Sequence, residues 1–408
     1  MSNASLPPSV ARTRMFVLLL VLGLFASLLF VTARQSGSPD RPETDPIVFT
    51  FATVGDSRHD PEDKDITAQD AIWLQHTRVL ARILREIEAQ RPHALFFNGD
   101  MIHGYTTNRP TLDREYAYWR GMVAGVAERG ICVLPVPGNH EVQLKTTTLS
   151  GKVVKTACVE SEIAWRENMG DLILDTNRWW RAHQALPTAW DVAHAPVSGP
   201  EGIRTDQRQL SYSFDFAGQH FAVINTDAVG ADSHAPVTWL AGDLAAAKAR
   251  GVRRQFVFGH KMAFTYRYNP QVPAKGLDVF PADQEAFWDL IEAQQATYFC
   301  GHEHIYNSMQ PRAHDGGQAW QIIVGSGGSP FAAGPNDHAS PNDRQYAWAF
   351  VKVFQSGRLL VEISGFDEHF GATRVLETIA LPSLVQGLPV TRLTHGRFAS
   401  PHRAAVRP

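Results

Sequence analysis

Ile47-Val48-Phe49-Thr50-Phe51-Ala52-Thr53-Val54-Gly55-Asp56-Ser57-Arg58 decides how this chain is read. The first eight residues are mostly apolar, aromatic or β-branched, which suits a buried extended strand. The glycine after them lets the backbone turn. Asp56 then presents an oxygen donor at the carboxyl end of the strand. The same construction recurs four more times. Residues 94–97 lead to Gly99-Asp100-Met101-Ile102-His103, and residues 131–136 lead through Pro137 to Gly138-Asn139-His140-Glu141. Residues 255–258 lead to Gly259-His260, and residues 297–300 to Gly301-His302-Glu303-His304. Asp, Asn and His are oxygen and imidazole ligands for divalent metals.

Helical patterns separate these strands. Val79, Ile83 and Ile87 recur every four residues beside Leu80 and Leu84, while Arg82, Arg85, Glu86 and Glu88 fill the other face. Pro92 ends that run. Residues 116–127 put Tyr116, Trp119, Val123 and Val126 on one side of a second helix. Residues 210–216 and 220–225, joined by Ala217-Gly218-Gln219, read as a hairpin. Helices follow over 239–249 and 286–294, and the chain then turns β-rich at 321–324, 347–354 and 359–364. Strands that alternate with helices and then follow one another imply an α/β protein with mixed sheets. In such folds the loops after the strands' carboxyl ends build the site. Residues 144–209 hold Trp165, Trp179, Trp180 and Trp190 without a clean period. They read as an insertion over the catalytic face, the tryptophans serving as packing.

Taken in order, the five signatures resemble the calcineurin-like metallophosphoesterase family over roughly residues 47–365. Tyr212-Ser213-Phe214-Asp215, Val223-Ile224-Asn225-Thr226-Asp227 and Gly325-Ser326-Gly327-Gly328 are similar to segments of its purple-acid-phosphatase-like members. The resemblance implies a four-layer α-β-β-α sandwich of two mixed sheets flanked by helices, over residues 47–382. It implies hydrolysis of a phosphate ester by metal-bound hydroxide at a centre of two divalent ions, Mn, Fe or Zn. Asp56 and His304 would hold the first ion, and Asp100 would bridge. Asn139, His260 and His302 would hold the second. His140 would be the acid or a phosphate-binding group, and Glu141 would support the ligands, orienting a neighbouring His. The substrate would be a small-molecule phosphate ester. A phosphodiesterase or nucleotide pyrophosphatase, and a degenerate binding protein without catalysis, are the alternatives.

Arg58 departs from the family pattern. Many members carry a ligating His there, and a guanidinium offers no lone pair. The first metal is therefore one ligand short. His103, three residues after Asp100, is expected to supply it, because purple-acid-phosphatase-like members place a ligating Tyr at that spacing. Pairing of His103 with His140 is the competing reading. Arg58 would then be available to a substrate phosphate, the alternative being a structural ion pair. His76, His93, His183, His194, His220, His234, His314 and His338 lack ligand spacing and read as structural.

The composition narrows the classes further. A formal charge of −3 over 408 residues does not favour a broad nucleic-acid contact. Three cysteines, with no Cys-x-x-Cys, support neither a disulfide framework nor a thiolate zinc site. Cys132 and Cys300 lie in strand-like runs and read as buried. Arg12 and Arg14 precede an apolar run from Met15 to Val31, which reads as an export segment. An uncleaved single-pass anchor over residues 1–33 is favoured, with the body exported. Secretion after cleavage near Ala33 is the alternative. Residues 34–46 read as a linker and 383–408 as a loose tail. Oligomeric state does not follow from the sequence.

Overall fold

The computed structural model describes residues 45–63 and 66–384. The expected export segment, most of the linker and the tail lie outside the described residues. Among the described residues, no helix is long and apolar enough to cross a membrane.

The strands, in chain order, are β1 (Ile47–Val54), β2 (Ala94–Phe97), β3 (Cys132–Pro135), β4 (Gln143–Thr147), β5 (Val153–Ala157), β6 (Tyr212–Phe216), β7 (Gln219–Val223), β8 (Asp227–Ala228), β9 (Ala231–Asp232), β10 (Arg254–Phe258), β11 (Thr297–Cys300), β12 (Tyr306–Met309), β13 (Trp320–Val324), β14 (Gln345–Phe354), β15 (Leu359–Asp367) and β16 (Arg374–Leu381). The longer helices are α1 (Thr77–Gln90), α2 (Arg109–Glu128), α3 (Val159–Met169), α4 (Thr176–His183), α5 (Val237–Ala249) and α6 (Pro281–Gln294). Two six-stranded sheets dominate, in the orders β16-β15-β14-β1-β2-β3 and β12-β13-β11-β10-β7-β6. Both are mixed. β1, β2 and β3 run parallel, as do β7, β10, β11 and β13, with antiparallel strands at the flanks.

The period-2 alternation of strand side chains explains the layers. Phe49 and Phe51 of β1, Phe96 of β2, Phe256 and Phe258 of β10 and Phe299 of β11 fill the space between the sheets. There Phe96 and Phe258 stack with centroids 3.8 Å apart. The alternate residues Ala52, Val54, Leu95 and Phe97 point away from that core, onto Val79, Ile83 and Ile87 of α1 and Tyr116 and Trp119 of α2. On the second sheet Val257 and Tyr298 meet Leu240 and Leu244 of α5 and Phe287, Trp288 and Ile291 of α6. The layers run helix, sheet, sheet, helix. Strands buried on both faces read as near-continuous apolar runs, which is why these stood out in the sequence.

Register sets the site. Val54 pairs with Phe97, and Phe97 with Pro135, so the chain leaves β1, β2 and β3 at one edge. Phe258 pairs with Phe299 at the matching edge of the other sheet. The sheets meet there, with Gly55 N donating to Val324 O at 2.9 Å.

Residues 144–209 resolve into two parts. The β4–β5 ribbon extends directly from the Asn139–Val142 turn. Beyond it, Trp165 of α3 packs on Tyr116, and Trp179 of α4 on Phe214 and Phe216, so these tryptophans serve the cores. Trp180 is exposed. Strands β12 and β16, which carry no strong period in the sequence, close the outer edges of the two sheets.

Candidate metal centre

Each of the first two strand ends turns sharply after its glycine. Asp56 and Asp100 take φ of +61° and +51°, and His302 takes +67°. Non-glycine residues seldom adopt this left-handed region, and such strain concentrates where side chains must be aimed. The glycines answer a different demand. A Cβ on Gly301 would lie 2.2 Å from Asp56 Oδ2, and one on Gly138 would lie 2.6 Å from Asp100 Oδ1. A glycine before one ligand thus makes room for a ligand from another strand. Glu141 does not orient a histidine, as the resemblance implied. Its buried carboxylate accepts from the amides of Asp100, Met101, Ile102 and Gly138 at 2.7–3.1 Å, tying the second and third signatures together.

Two groups of donors result, sharing Asp100. In the first, ligand atoms of Asp100, His260 and His302 lie within 4.8 Å of one another. His260 Nδ1 donates to the main-chain carbonyl of Asn98 at 2.7 Å. Its Nε2 faces Asn139 Oδ1 at 2.9 Å, Asp100 Oδ1 at 3.2 Å and His302 Nδ1 at 3.1 Å. Asn139 is oriented by its Nδ2, which donates to Tyr105 Oη, so its oxygen faces His260. Neither oxygen has a hydrogen to give Nε2. A cation must lie between them, and a divalent ion satisfies more of these donors than a proton does. This half fits a metal.

The second group is Asp56, Asp100 and His304, also within 4.8 Å. His304 Nδ1 donates to Pro330 O at 2.7 Å, which leaves its lone pair on Nε2. That atom lies 3.7 Å from Asp56 Oδ1 and 3.4 Å from Arg58 Nη2. Arg58 Nε lies 3.8 Å from Asp100 Oδ2. Here a guanidinium already stands against the donors, so this half does not offer the open valences of the first.

The electrostatics follow burial. Burial and the Asp100 charge push the Asp56 carboxyl well up, partly opposed by Arg58. Burial drives His302 well down, helped by His260, and His304 well down, helped by Arg58. Both imidazoles are therefore neutral, the form that ligates. His140 is also driven well down, by burial and then Arg58. Its Nδ1 meets His103 O at 2.5 Å, leaving Nε2 facing Asp100 Oδ2 at 3.7 Å.

His103, expected to complete the first metal, belongs to neither group. It meets His140 through its main-chain carbonyl, and its ring lies edge-on to that of His140 with centroids 5.7 Å apart. Two residues escaped the sequence reading. Tyr105 Oη accepts from both Asn139 Nδ2 and Lys155 Nζ, the latter at 2.8 Å from β5. Tyr105 lies just after the second signature and was within reach of inspection. Lys155 carries no sequence signal, because only the ribbon's fold brings it there.

No family model and no curated protein sequence matches the chain. Similarity appears among solved structures. A purple acid phosphatase from yellow lupin (Lupinus luteus) seeds is 13% identical with a TM-score of 0.50, over 87% of this chain and 58% of that one. A dimetal phosphatase from Danio rerio is 14% identical, TM-score 0.43, over 82% of this chain and 99% of that one. A structure of PhoD is 13% identical, TM-score 0.47, over 82% and 73% respectively. The chain thus spans little more than half the length of the lupin protein, and at this identity the likeness concerns fold. The chain has the calcineurin-like metallophosphoesterase fold that its strand-end motifs resemble.

Proposed function

We propose that this protein is a divalent-metal-dependent phosphoesterase acting on a small-molecule phosphate ester. One observation carries the reading: glycine-preceded Asp, Asn and His side chains from five strand ends, drawn from both sheets, converge in one buried cluster. A divalent ion held by Asp100, Asn139, His260 and His302 supplies Lewis acidity and positive charge against phosphate oxygens. Nitrogen and oxygen donors without thiolate suit Mn²⁺, Fe or Zn²⁺.

The chain's own residues do the rest. Tyr105 accepts two hydrogen bonds, so its own O–H is free to donate to a phosphate oxygen. Arg58 and Lys155 add positive charge beside the phosphate. His140 Nε2 is the open ring nitrogen, and we assign it proton transfer to the leaving oxygen. The site alone holds His140 neutral, and an arriving dianion opposes that by favouring its charged form. We take His103 to fix the His140 ring through its carbonyl rather than to ligate. Asp56 supports the His302 loop by accepting its backbone N–H at 3.0 Å.

A panel of phosphomonoesters and phosphodiesters, run on the full chain with metals measured beforehand, tests the reading. Turnover of either class supports it and separates monoesterase from diesterase. Metal-free protein without turnover would instead mark a binding protein. We also read residues 1–33 as an anchor or cleaved signal that exports the body, on the strength of Arg12 and Arg14 before the apolar run. Protease access to the body in intact cells checks this.

A further inference from the structure

We propose that this protein holds one divalent ion, not two, and that the Arg58 guanidinium takes the place of the other as a built-in cation. The inference rests on the phosphoesterase reading for its purpose, but its geometry stands apart from it. It comes from the asymmetry between the two donor groups. In the half built by Asp100, Asn139, His260 and His302, His260 Nε2 faces Asn139 Oδ1, His302 Nδ1 and Asp100 Oδ1 at 2.9, 3.1 and 3.2 Å, more partners than one proton can serve. In the half built by Asp56, Asp100 and His304, the His304 lone pair faces a guanidinium N–H at 3.4 Å. The valence that a metal would use is engaged there.

Arg58 is held in that position from several sides. Its amide donates to Asp100 O at 3.2 Å, and its carbonyl accepts from Ser329 Oγ at 2.8 Å. Ser329 is itself anchored, its amide donating to Asp56 O at 2.8 Å. The Gly-Ser-Gly-Gly segment before it permits this approach, since a Cβ on Gly327 would lie 2.4 Å from Gly55 O. The side chain is 11% exposed, so water screens it little. Its Nε lies 3.8 Å from Asp100 Oδ2, and its Nη1 3.9 Å from Asp60 Oδ2.

A guanidinium cannot ligate and cannot be deprotonated to make way. An ion entering this half would find three protein donors and no fourth, since His103 stands outside the group. It would also meet a fixed positive charge at low exposure. Two buried carboxylates, Asp56 and Asp100, would face one dication in one half and one guanidinium in the other, which leaves a net charge of about +1 for an anionic substrate. The fork of Arg58 suits it to phosphate oxygens as well, so the replacement keeps positive charge where substrate arrives.

The test counts metal. The full chain is loaded with excess Mn²⁺, freed of loose ion by gel filtration and measured by elemental analysis and electron paramagnetic resonance. The expected result is one Mn²⁺ per chain with the spectrum of an isolated ion. Arg58→His, which supplies an imidazole and removes the charge, is expected to double the content and give an exchange-coupled spectrum. His302→Ala should lose the wild-type ion, and Asp56→Asn should keep it. Two tightly held ions or a coupled spectrum in the wild type would overturn the proposal, as would a wild-type ion lost in Asp56→Asn but kept in His302→Ala. If Arg58→His does not fold, the wild-type count and spectrum decide. Hydrolysis of nitrophenyl mono- and diesters is scored separately. One ion without turnover removes the reaction and keeps the metal count, whereas two ions with turnover do the reverse.

Discussion

Two clusters of buried Asp and His, one on the second sheet and its flanking helix and one where the strand ends of both sheets meet, differ in how their protons are accounted for. His220 on β7 is fully buried and donates from Nδ1 to Asp215 at 2.7 Å and from Nε2 to Asp243 at 2.9 Å. Arg250 bonds Asp215 at 2.6 Å, and Ser213 and His194 bond Asp243 at 2.8 and 2.9 Å. Each donor faces an acceptor. At the strand ends, by contrast, the single His260 Nε2 faces Asn139 Oδ1, Asp100 Oδ1 and His302 Nδ1 together, more partners than one proton can serve. Residue type and burial are nearly the same in both places. A satisfied cluster stabilises the fold, and an unsatisfied one waits for a cation.

The comparison can be broken most forcefully by removing its central histidines. His260→Ala should lower kcat/KM by roughly a thousandfold, because the ligand that faces three others is gone. Thermal unfolding of the metal-free variant should stay near wild type, since the crowd of acceptors is relieved. His220→Ala should do the opposite. It leaves two buried carboxylates without their shared donor and should cost about 3–5 kcal/mol in denaturant unfolding. Activity per folded molecule should be kept. Equal loss of activity in both variants would erase the distinction.

pH sharpens it further. Burial pulls the His220 pKa down, but Asp215 and Asp243 outweigh burial and raise it above the ordinary 6.5. The folded state therefore keeps a proton that the unfolded state has lost. This stabilisation is complete below about pH 6.5 and fades as pH rises through the folded value. Asp215 and Asp243 are held below their ordinary range despite burial, by His220 with Arg250 and Ser213. Their contribution is present above about pH 4 and is lost as pH falls through the lowered values. The difference in melting temperature between wild type and His220→Gln should shrink from about pH 6 to about pH 9. A constant difference would show that His220 is neutral in the fold. The smallest effect concerns Tyr105. Tyr105→Phe should reduce kcat/KM roughly tenfold, by loss of one donor to phosphate and of the bond that orients Asn139, with melting almost unchanged.

Much of the frame was legible. The runs before Gly55, Gly99, Gly138, Gly259 and Gly301 read as strands because both faces of each are covered. α1 announced itself through Val79, Ile83 and Ile87. The ends of elements were less legible. α2 begins at Arg109, capped by Asn108, well before the apolar stripe that revealed it. α3 and α4 were missed, because Trp165 and Trp179 insert singly into cores built by other segments. The structural reading of His220 held because it sits within a strand rather than after a strand-end glycine. His103 and Glu141 were the harder cases, since His103 meets His140 through its own main-chain carbonyl and Glu141 binds main-chain amides, groups that every sequence offers at every position.

The sequence by itself determined which donors stand at which strand ends, because a glycine followed by Asp, Asn or His after a two-sided apolar run is a local feature. It also determined that residue 58 brings a permanent charge instead of a lone pair. Only the tertiary structure decided where that charge goes. Parallel register within each sheet brings five strand ends to one edge, and Ser329, just after the Gly325–Gly328 segment, pins the Arg58 backbone from the other sheet. Whether a lone pair faces an N–H or another acceptor depends on distances of a few tenths of an ångström between residues more than two hundred positions apart, such as Arg58 and His304. That relation is set by packing, and no local pattern carries it.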